Sequence, residues 1–243
     1  MKPLIVCTDL TKEYGGFRAV DRVSFEVTAG SVTALLGRNG CGKSTTLRML
    51  LGLTAPTSGS ALIDGVPYRE LPCPARVVGA AVTDVPGHPA LTVRAQLSLV
   101  AEAVGAPPGA VDEVLRTIDL EEAEYRRIDV LSLGMRQRLS LGCALVGSPR
   151  ILVLDEPANG LDPDGIRWLR GFLRSFAEGG GAVLVSSHSL DEVQRTADHV
   201  VVLDRTVRYA GPLDGLLDDA HATLDDAFHH LLDGTRDTEG AAA

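Results

Sequence analysis

Three things are scarce in this 243-residue chain, and each absence narrows what it does. No apolar run approaches the roughly 20 residues that a membrane-spanning helix requires. No leader-like stretch precedes Met1-Lys2-Pro3 either, so a cytosolic protein is expected. Cysteine is sparse and scattered. Cys7, Cys41, Cys73 and Cys143 share no metal-ligand spacing, and in a cytosolic chain they read as free thiols. Positive charge is in deficit, with 23 Lys and Arg against 32 Asp and Glu, a formal charge of −9. That balance argues against a generic nucleic-acid binder, which carries a basic stripe. It argues equally against direct adhesion to an anionic membrane, so any membrane contact would pass through a partner protein. Neither an internal repeat nor a heptad run is visible. The chain is 45% hydrophobic, enough for a substantial core.

What is present centres on Gly37-Arg38-Asn39-Gly40-Cys41-Gly42-Lys43-Ser44-Thr45, a G-x-x-x-x-G-K-[ST] phosphate-binding loop. Backbone N–H groups of such a turn cradle nucleotide phosphates, and Gly37, Gly40 and Gly42 let the backbone come close because they lack a Cβ. Lys43 is placed to reach the β- and γ-phosphates and the Ser44 hydroxyl to ligate Mg²⁺. The apolar, β-rich Ser31-Val32-Thr33-Ala34-Leu35-Leu36 precedes the loop, and the helix-type run from Thr45 follows it, so the anion would sit at a helix N-terminus. By composition alone the pattern arises in about one chain in a hundred of this size; the strand-before, helix-after context makes accident rarer still.

The rest of the chain divides by periodicity. The N-terminal part is β-rich: Leu4-Ile5-Val6-Cys7, Val23-Ser24-Phe25-Glu26-Val27 and Ser60-Ala61-Leu62-Ile63 read as strands, and Leu10 to Gly16 as a turn carrying Tyr14. Residues 77–82 are a further apolar run. From 91 to 146 the pattern is helical, with breaks at Pro107-Pro108-Gly109 and around Ile128-Asp129, and with Met135, Leu139, Gly142, Cys143 and Val146 on one face. Three apolar β-type runs follow, at 151–154, 182–186 and 200–203, separated by helical patterns at 165–176 and 190–197. Strands alternating with helices imply parallel pairing, and continuous apolar strands imply burial on both faces. Leu224, Ala227, Phe228, Leu231 and Leu232 make a last amphipathic helix, with Thr223 and Asp226 as a capping box. Residues 234–243 are small and polar and are expected to be disordered. His88 and His229-His230 lack partners at ligand spacing and read as surface residues.

Ile151-Leu152-Val153-Leu154-Asp155-Glu156-Pro157 is an apolar strand that ends in two carboxylates. A carboxylate at the tip of a buried strand is costly unless a cation awaits it. Mg²⁺ on Ser44 meets that need, making Asp155 the metal-side carboxylate and Glu156 the group that polarises an attacking water.

With both elements present, the chain resembles the ATP-binding cassette (ABC) ATPases, from about Leu4 to Leu232. The resemblance implies an α/β fold: a P-loop NTPase core, an antiparallel β subdomain, and an α-helical subdomain inserted at about 84–148. Residues 1–220 would form the nucleotide-binding domain and 221–243 a C-terminal helix and tail. The family's signature corresponds to Leu131-Ser132-Leu133-Gly134-Met135-Arg136-Gln137-Arg138, with Leu133 and Met135 standing where glycine and glutamine are usual. Ser132 and Gly134 open a helix that, in the family, meets the γ-phosphate held by the other subunit; Arg136 and Arg138 read as a solvated basic face. Tyr14 falls where the family stacks an aromatic on adenine. Asp162, in Ala158-Asn159-Gly160-Leu161-Asp162, matches the loop that signals across the dimer, or is a plain helix cap before Pro163. His188 matches the histidine that contacts the γ-phosphate. The glutamine usual after the 77–82 run is missing; Thr83-Asp84 stands there instead.

The resemblance thus implies an ATP- and Mg²⁺-dependent ATPase. It would act as a head-to-tail homodimer on the inner face of the cell membrane, bound to an integral membrane permease through about 84–127, with no direct nucleic-acid contact. The signature and the single short cassette resemble drug- and antibiotic-export members. Import, lipid or polysaccharide transport, and a soluble role on ribosomes or nucleic acid remain alternatives. Cys41, inside the loop, is expected to let a bulky thiol reagent block nucleotide binding.

Overall fold

Alternating apolar residues let the N-terminal strands pair with each other and bury one face. In the computed structural model, which describes residues 2–82, 87–217 and 223–233, β1 (Pro3–Tyr14) and β2 (Phe17–Thr28) form an antiparallel hairpin. Gly15 (φ 54°) and Gly16 (φ 85°) close it, the left-handed pair that matches strand twist in a two-residue turn. The turn expected over Leu10 to Gly16 is therefore confined to the tip, and β1 runs on to Tyr14. The polar residues that look like a turn are absorbed by bulges, where the register shifts between Cys7 and Leu10 and again before Lys12. At the first bulge Asp9 takes φ 47° and its amide donates to Ser24 Oγ at 2.8 Å; nearby, the Arg22 amide donates to Thr11 Oγ1 at 3.0 Å.

β3 (Ser31–Leu36) and α1 (Lys43–Leu50) follow, and β4 (Ser58–Ile63) returns to the free edge of β1, giving the three-stranded order β2-β1-β4. The chain continues through α2 (Pro74–Val77), β5 (Val78–Ala81), α3 (Val93–Val104), α4 (Ala110–Thr117), α5 (Leu133–Leu145), β6 (Ile151–Asp155), α6 (Pro163–Glu178), β7 (Ala182–Ser187), α7 (Leu190–Thr196), β8 (His199–Asp204), β9 (Thr206–Pro212) and α8 (Leu224–Asp233). The second sheet has the order β5-β6-β7-β3-β8-β9, parallel except for β9, which pairs antiparallel with β8.

Period-two alternation sends each central strand into two cores. Leu35, Ile151, Val153, Leu184 and Val201 face the antiparallel sheet and α1, while Ala34, Leu152, Leu154, Val183 and Val202 face α6, α7 and α8. Each fully buried aliphatic side chain contributes about 1.5–3 kcal/mol, which is why these strands read as unbroken apolar runs. α8 adds Leu224, Ala227, Phe228 and Leu232 to the second core, and Thr223 caps it by accepting the Asp226 amide at 3.2 Å.

A third core lies among α3, α4 and α5, around Leu97, Leu115, Ile118 and Leu139. The glycine stops at Gly105 (φ 62°) and Gly109 (φ 87°) give the expected first break. The second break is wider than the sequence suggests, running from Ile118 to Ser132 with only two short 3₁₀ turns. Tertiary hydrogen bonds hold it open: Glu124 and Arg126 carbonyls accept the Arg94 and Val93 amides at 2.8 and 3.1 Å, and Ile128 N donates to Leu91 O at 2.9 Å. Arg94 also bridges Glu124 and Asp112, at 2.6 Å each. The basic face expected at Arg136 and Arg138 is not a solvated one. Arg136 donates to Leu131 O at 2.8 Å; Arg138 donates to Asp119 at 2.7 Å and lies 4.5 Å over the Trp168 ring, pinning α5 to α6. Thr83 and Asp84, and residues 234–243, fall outside the described residues.

Candidate active site

The parallel register brings three strand ends to one place: Leu36 of β3 lies opposite Ser187 of β7, and Asp155 of β6 opposite Ser186. Loops leaving the carboxyl ends of adjacent parallel strands form the crevice in which open α/β sheets bind ligands. Here the loop after β3 is the glycine-rich Gly37 to Gly42, the residues after β6 are Asp155 and Glu156, and His188 follows β7.

The glycines have steric reasons to be glycine. A Cβ on Gly37 would overlap the Leu203 carbonyl oxygen and Cys41 Sγ, so this residue lies flat on β8. Gly42 caps α1 at φ 108°, and a Cβ there would stand 2.7 Å from the Ala19 carbonyl oxygen. Gly40 takes φ 79°. The loop is tied down by its own backbone: Cys41 N donates to Arg38 O at 3.2 Å, and Arg205 N to Cys41 O at 3.0 Å. No side chain caps α1 and no acidic residue sits in its first turn, so its N–H groups are left for an anion. Ser44 and Thr45, half-buried in that turn, and Asn39, exposed at the loop's crest, follow the expected order. Cys41 does not. Its thiol is buried beneath the loop and burial pushes its pKa up, so a bulky reagent must first open the loop to reach it.

Lys43 is only 6% exposed. Its ammonium donates to Gly37 O at 2.7 Å and stands 3.6 Å from Glu156 Oε1. The other carboxylate oxygen of Glu156 lies 2.7 Å from His188 Nδ1. One carboxylate thus joins the phosphate loop to the end of β7. Holding it there requires an unusual backbone: Glu156 takes φ 50°, although residues before proline ordinarily adopt β or polyproline conformations. The left-handed region costs a residue with a Cβ about 1–2 kcal/mol. Glu156 N donates to Ser186 Oγ at 2.9 Å and so locks the turn, and the Ser186 hydroxyl in turn donates to Asp155 Oδ1. Sequence reasoning found Glu156 but not Ser186, whose only signal was a hydroxyl buried in an apolar strand.

The remaining candidates lie elsewhere. Ser132, Gly134 and Asp162 line a separate groove together with Gly160 and Leu161, and no phosphate-loop residue lines it. Ser132 Oγ accepts the Met135 amide at 3.1 Å and Asp162 Oδ1 the Gly165 amide at 2.7 Å, so both are helix caps. Leu133 is half-exposed and packs on Gly160, whose missing Cβ leaves room for it. Tyr14 is half-exposed at the hairpin tip, with Lys12 Nζ 4.9 Å from its ring centre. A metal would find hard oxygen donors in Ser44 and Asp155. Among the described residues no three acidic, histidine or cysteine side chains form a metal cage. Two such donors would suit Mg²⁺, which takes one or two protein oxygens and draws its other ligands from phosphate and water.

Comparison with known proteins agrees with this geometry. The profile of the family described as ABC transporter matches residues 20–159. The chain is 42% identical over 210 residues to the bacitracin transport ATP-binding protein BcrA of Bacillus licheniformis, covering 84% of this chain and 67% of that protein. It is 36% identical over 194 residues to the lantibiotic transport ATP-binding protein SrtF of Streptococcus pyogenes, covering 79% and 83%. A solved ATP-binding subunit of an ABC transporter superposes with a TM-score of 0.86 at 29% identity, covering 94% of this chain and 99% of that one. Phosphate loop, strand-end carboxylates and relatives converge, and the chain belongs to the ABC transporter family as one of its ATP-binding members.

Proposed function

We propose that the chain hydrolyses ATP to drive a separate membrane permease that exports a drug- or peptide-antibiotic-like compound. The observation that carries this reading is the meeting of Lys43, at the head of α1, with Glu156 and His188, which follow the ends of β6 and β7. On this reading the backbone of Gly37, Arg38, Asn39, Gly40, Cys41 and Gly42 cradles the phosphates. Lys43 leaves Glu156 for the β- and γ-phosphates, and Ser44 and Thr45 close the loop at the helix end. Freed of its lysine, Glu156 accepts the proton of the attacking water. His188, 55% exposed on its side chain, is positioned by Glu156 and contacts the γ-phosphate. Tyr14 stacks on the base. Mg²⁺ held by Ser44 and, through water, Asp155 would offset charge on the phosphate oxygens.

Ser132 and Gly134 line a different groove from the phosphate loop, and Ser132 and Leu133 are exposed, which supports a site completed by a second copy arranged head to tail. Asp162 would lie at the same contact. Hydrolysis resets the closed pair. No helix among the described residues is long and apolar enough to cross a membrane. The names of two relatives, bacitracin and lantibiotic transport ATP-binding proteins, support an antibiotic-like cargo, and that of a third, Nod factor export ATP-binding protein I of Rhizobium etli, supports export over import. The permease's cytoplasmic segments would dock between about 84 and 127, where Leu99 and Tyr125 are exposed. The test is ATP turnover by the purified chain and by Lys43→Ala. Loss of nucleotide binding in the variant is expected, and equal turnover in both would remove the site from the reaction.

A further inference from the structure

A second cavity, separate from the phosphate loop, lies between α6 and α7 against β3 and the end of β7. Its volume is about 230 Å³, and none of residues 37–45 lines it. Its inner wall is apolar, formed by Val32, Ala34, Leu169, Leu173, Val185 and Val193, which belong to the core on that side of the sheet. Its mouth is polar, with Arg170 and Glu192 on the two helices and Glu156 and His188 at the strand ends.

Arg170 is the telling residue. Of the three arginines on α6, Arg167 pairs with Asp164 at 3.4 Å and Arg174 with Asp198 at 2.6 Å. Arg170 is half-buried, and among the described residues it makes no hydrogen bond or ion pair. A guanidinium has five donors in a rigid fork suited to a carboxylate. Size sets the other half of the ligand. An apolar cavity of about 150 Å³ stays dry and takes benzene, so this one accepts a body about half as large again. We infer that the cavity between α6 and α7 binds a small amphipathic monocarboxylate, its alkyl body among Leu169, Leu173 and Val193 and its head on Arg170.

Such a ligand would touch the Pro157 to Gly160 segment and His188 from behind. Occupancy would bear on the Glu156–His188 pair from the side away from the phosphate loop and so change ATP turnover. This consequence rests on the ATPase reading above; the binding itself does not.

The experiment is calorimetric titration of the full chain, free of nucleotide, with octanoate and with octanol. Saturable one-site binding of octanoate is expected. Arg170→Gln should weaken octanoate about fivefold to tenfold, as for one partly exposed charge pair, and leave octanol unchanged. Ala197→Leu, at a half-exposed lining position, fills the cavity and should abolish both, with an unchanged melting temperature showing that the chain still folds. Absence of saturable octanoate binding, or equal octanoate affinity in all three proteins, would overturn the proposal. If octanoate binds and ATP turnover is absent, the site stands and the ATPase reading falls.

Discussion

Glu156→Gln is the most informative single change, because it removes a charge and almost no volume. Gln keeps the chain length and has the same difficulty with φ 50° as Glu, so the turn locked by the Ser186 hydroxyl persists. What changes is chemistry. A positioned general base contributes about 10²–10⁴-fold, or about 2.7–5.4 kcal/mol of barrier, and the amide cannot accept the proton. Binding should move the other way. Lys43 at present stands 3.6 Å from the Glu156 carboxylate and must give up that contact to reach phosphate. Without the charge, Lys43 keeps only carbonyl acceptors, Gly37 O at 2.7 Å and Arg38 O at 3.5 Å. The nearly buried ammonium then loses its counter-charge, which costs the ligand-free fold about 1–2 kcal/mol, and ATP restores it. The assay pairs single-turnover hydrolysis of labelled ATP with equilibrium ATP binding and thermal unfolding with and without nucleotide. Expected are a rate at least a hundredfold lower, affinity no weaker than wild type, and a larger ATP-induced rise in melting temperature. A rate within threefold of wild type, or affinity reduced tenfold, would refute the reasoning.

Other outcomes follow from packing and burial. Gly79→Ala places a Cβ against the Ala144 carbonyl oxygen, Pro149 and Leu152, and should cost about 1–3 kcal/mol in denaturant unfolding. Arg138→Lys breaks a stacked contact with Trp168 as well as the Asp119 pair; a loss of about 1 kcal/mol is expected where a purely solvated residue would show none. Thiol labelling should strike the exposed Cys73 first and leave Cys41 and Cys7 unreacted until the chain opens. Burial also pushes the thiols of Cys7 and Cys143 up to about 12. Above the ordinary thiol range the unfolded chain loses protons that the folded chain keeps, so their stabilisation is complete below about pH 9 and is lost as pH rises toward 12, by about 1.4 kcal/mol per pH unit per thiol. The Cys7→Ala variant should flatten the fall in stability between pH 9 and 10.5.

The site was legible where chemistry demands particular residues in sequence. The phosphate loop needs glycines at set positions, and an apolar strand ending in Asp155-Glu156 is expensive without a cation, so both stand out in the chain. The core strands were legible too, because burial on both faces removes polar residues altogether. What stayed hidden depends on contacts between distant residues. The bulges that carry β1 through Asp9 to Tyr14 rest on Ser24 and Arg22 across the hairpin, and without those partners the stretch looks like a turn. Arg138 looks solvated until Trp168, thirty residues on, is seen beneath it. The left-handed turn at Glu156 contradicts its proline neighbour and is explained only by Ser186 of the adjacent strand. Cys41 was read from its place in the loop, whereas its access depends on β8 lying against the loop's inner side.

The claim on which the account turns is that this ATP-binding chain serves a membrane permease. The most direct measurement is affinity capture of the tagged chain from gently solubilised native membranes, with partners identified by mass spectrometry and tested for stimulation of ATP turnover. The account predicts a polytopic membrane protein that copurifies with the chain and raises its turnover. Recovery of ribosomal or DNA-associated proteins from the soluble fraction, with no membrane protein, would contradict it.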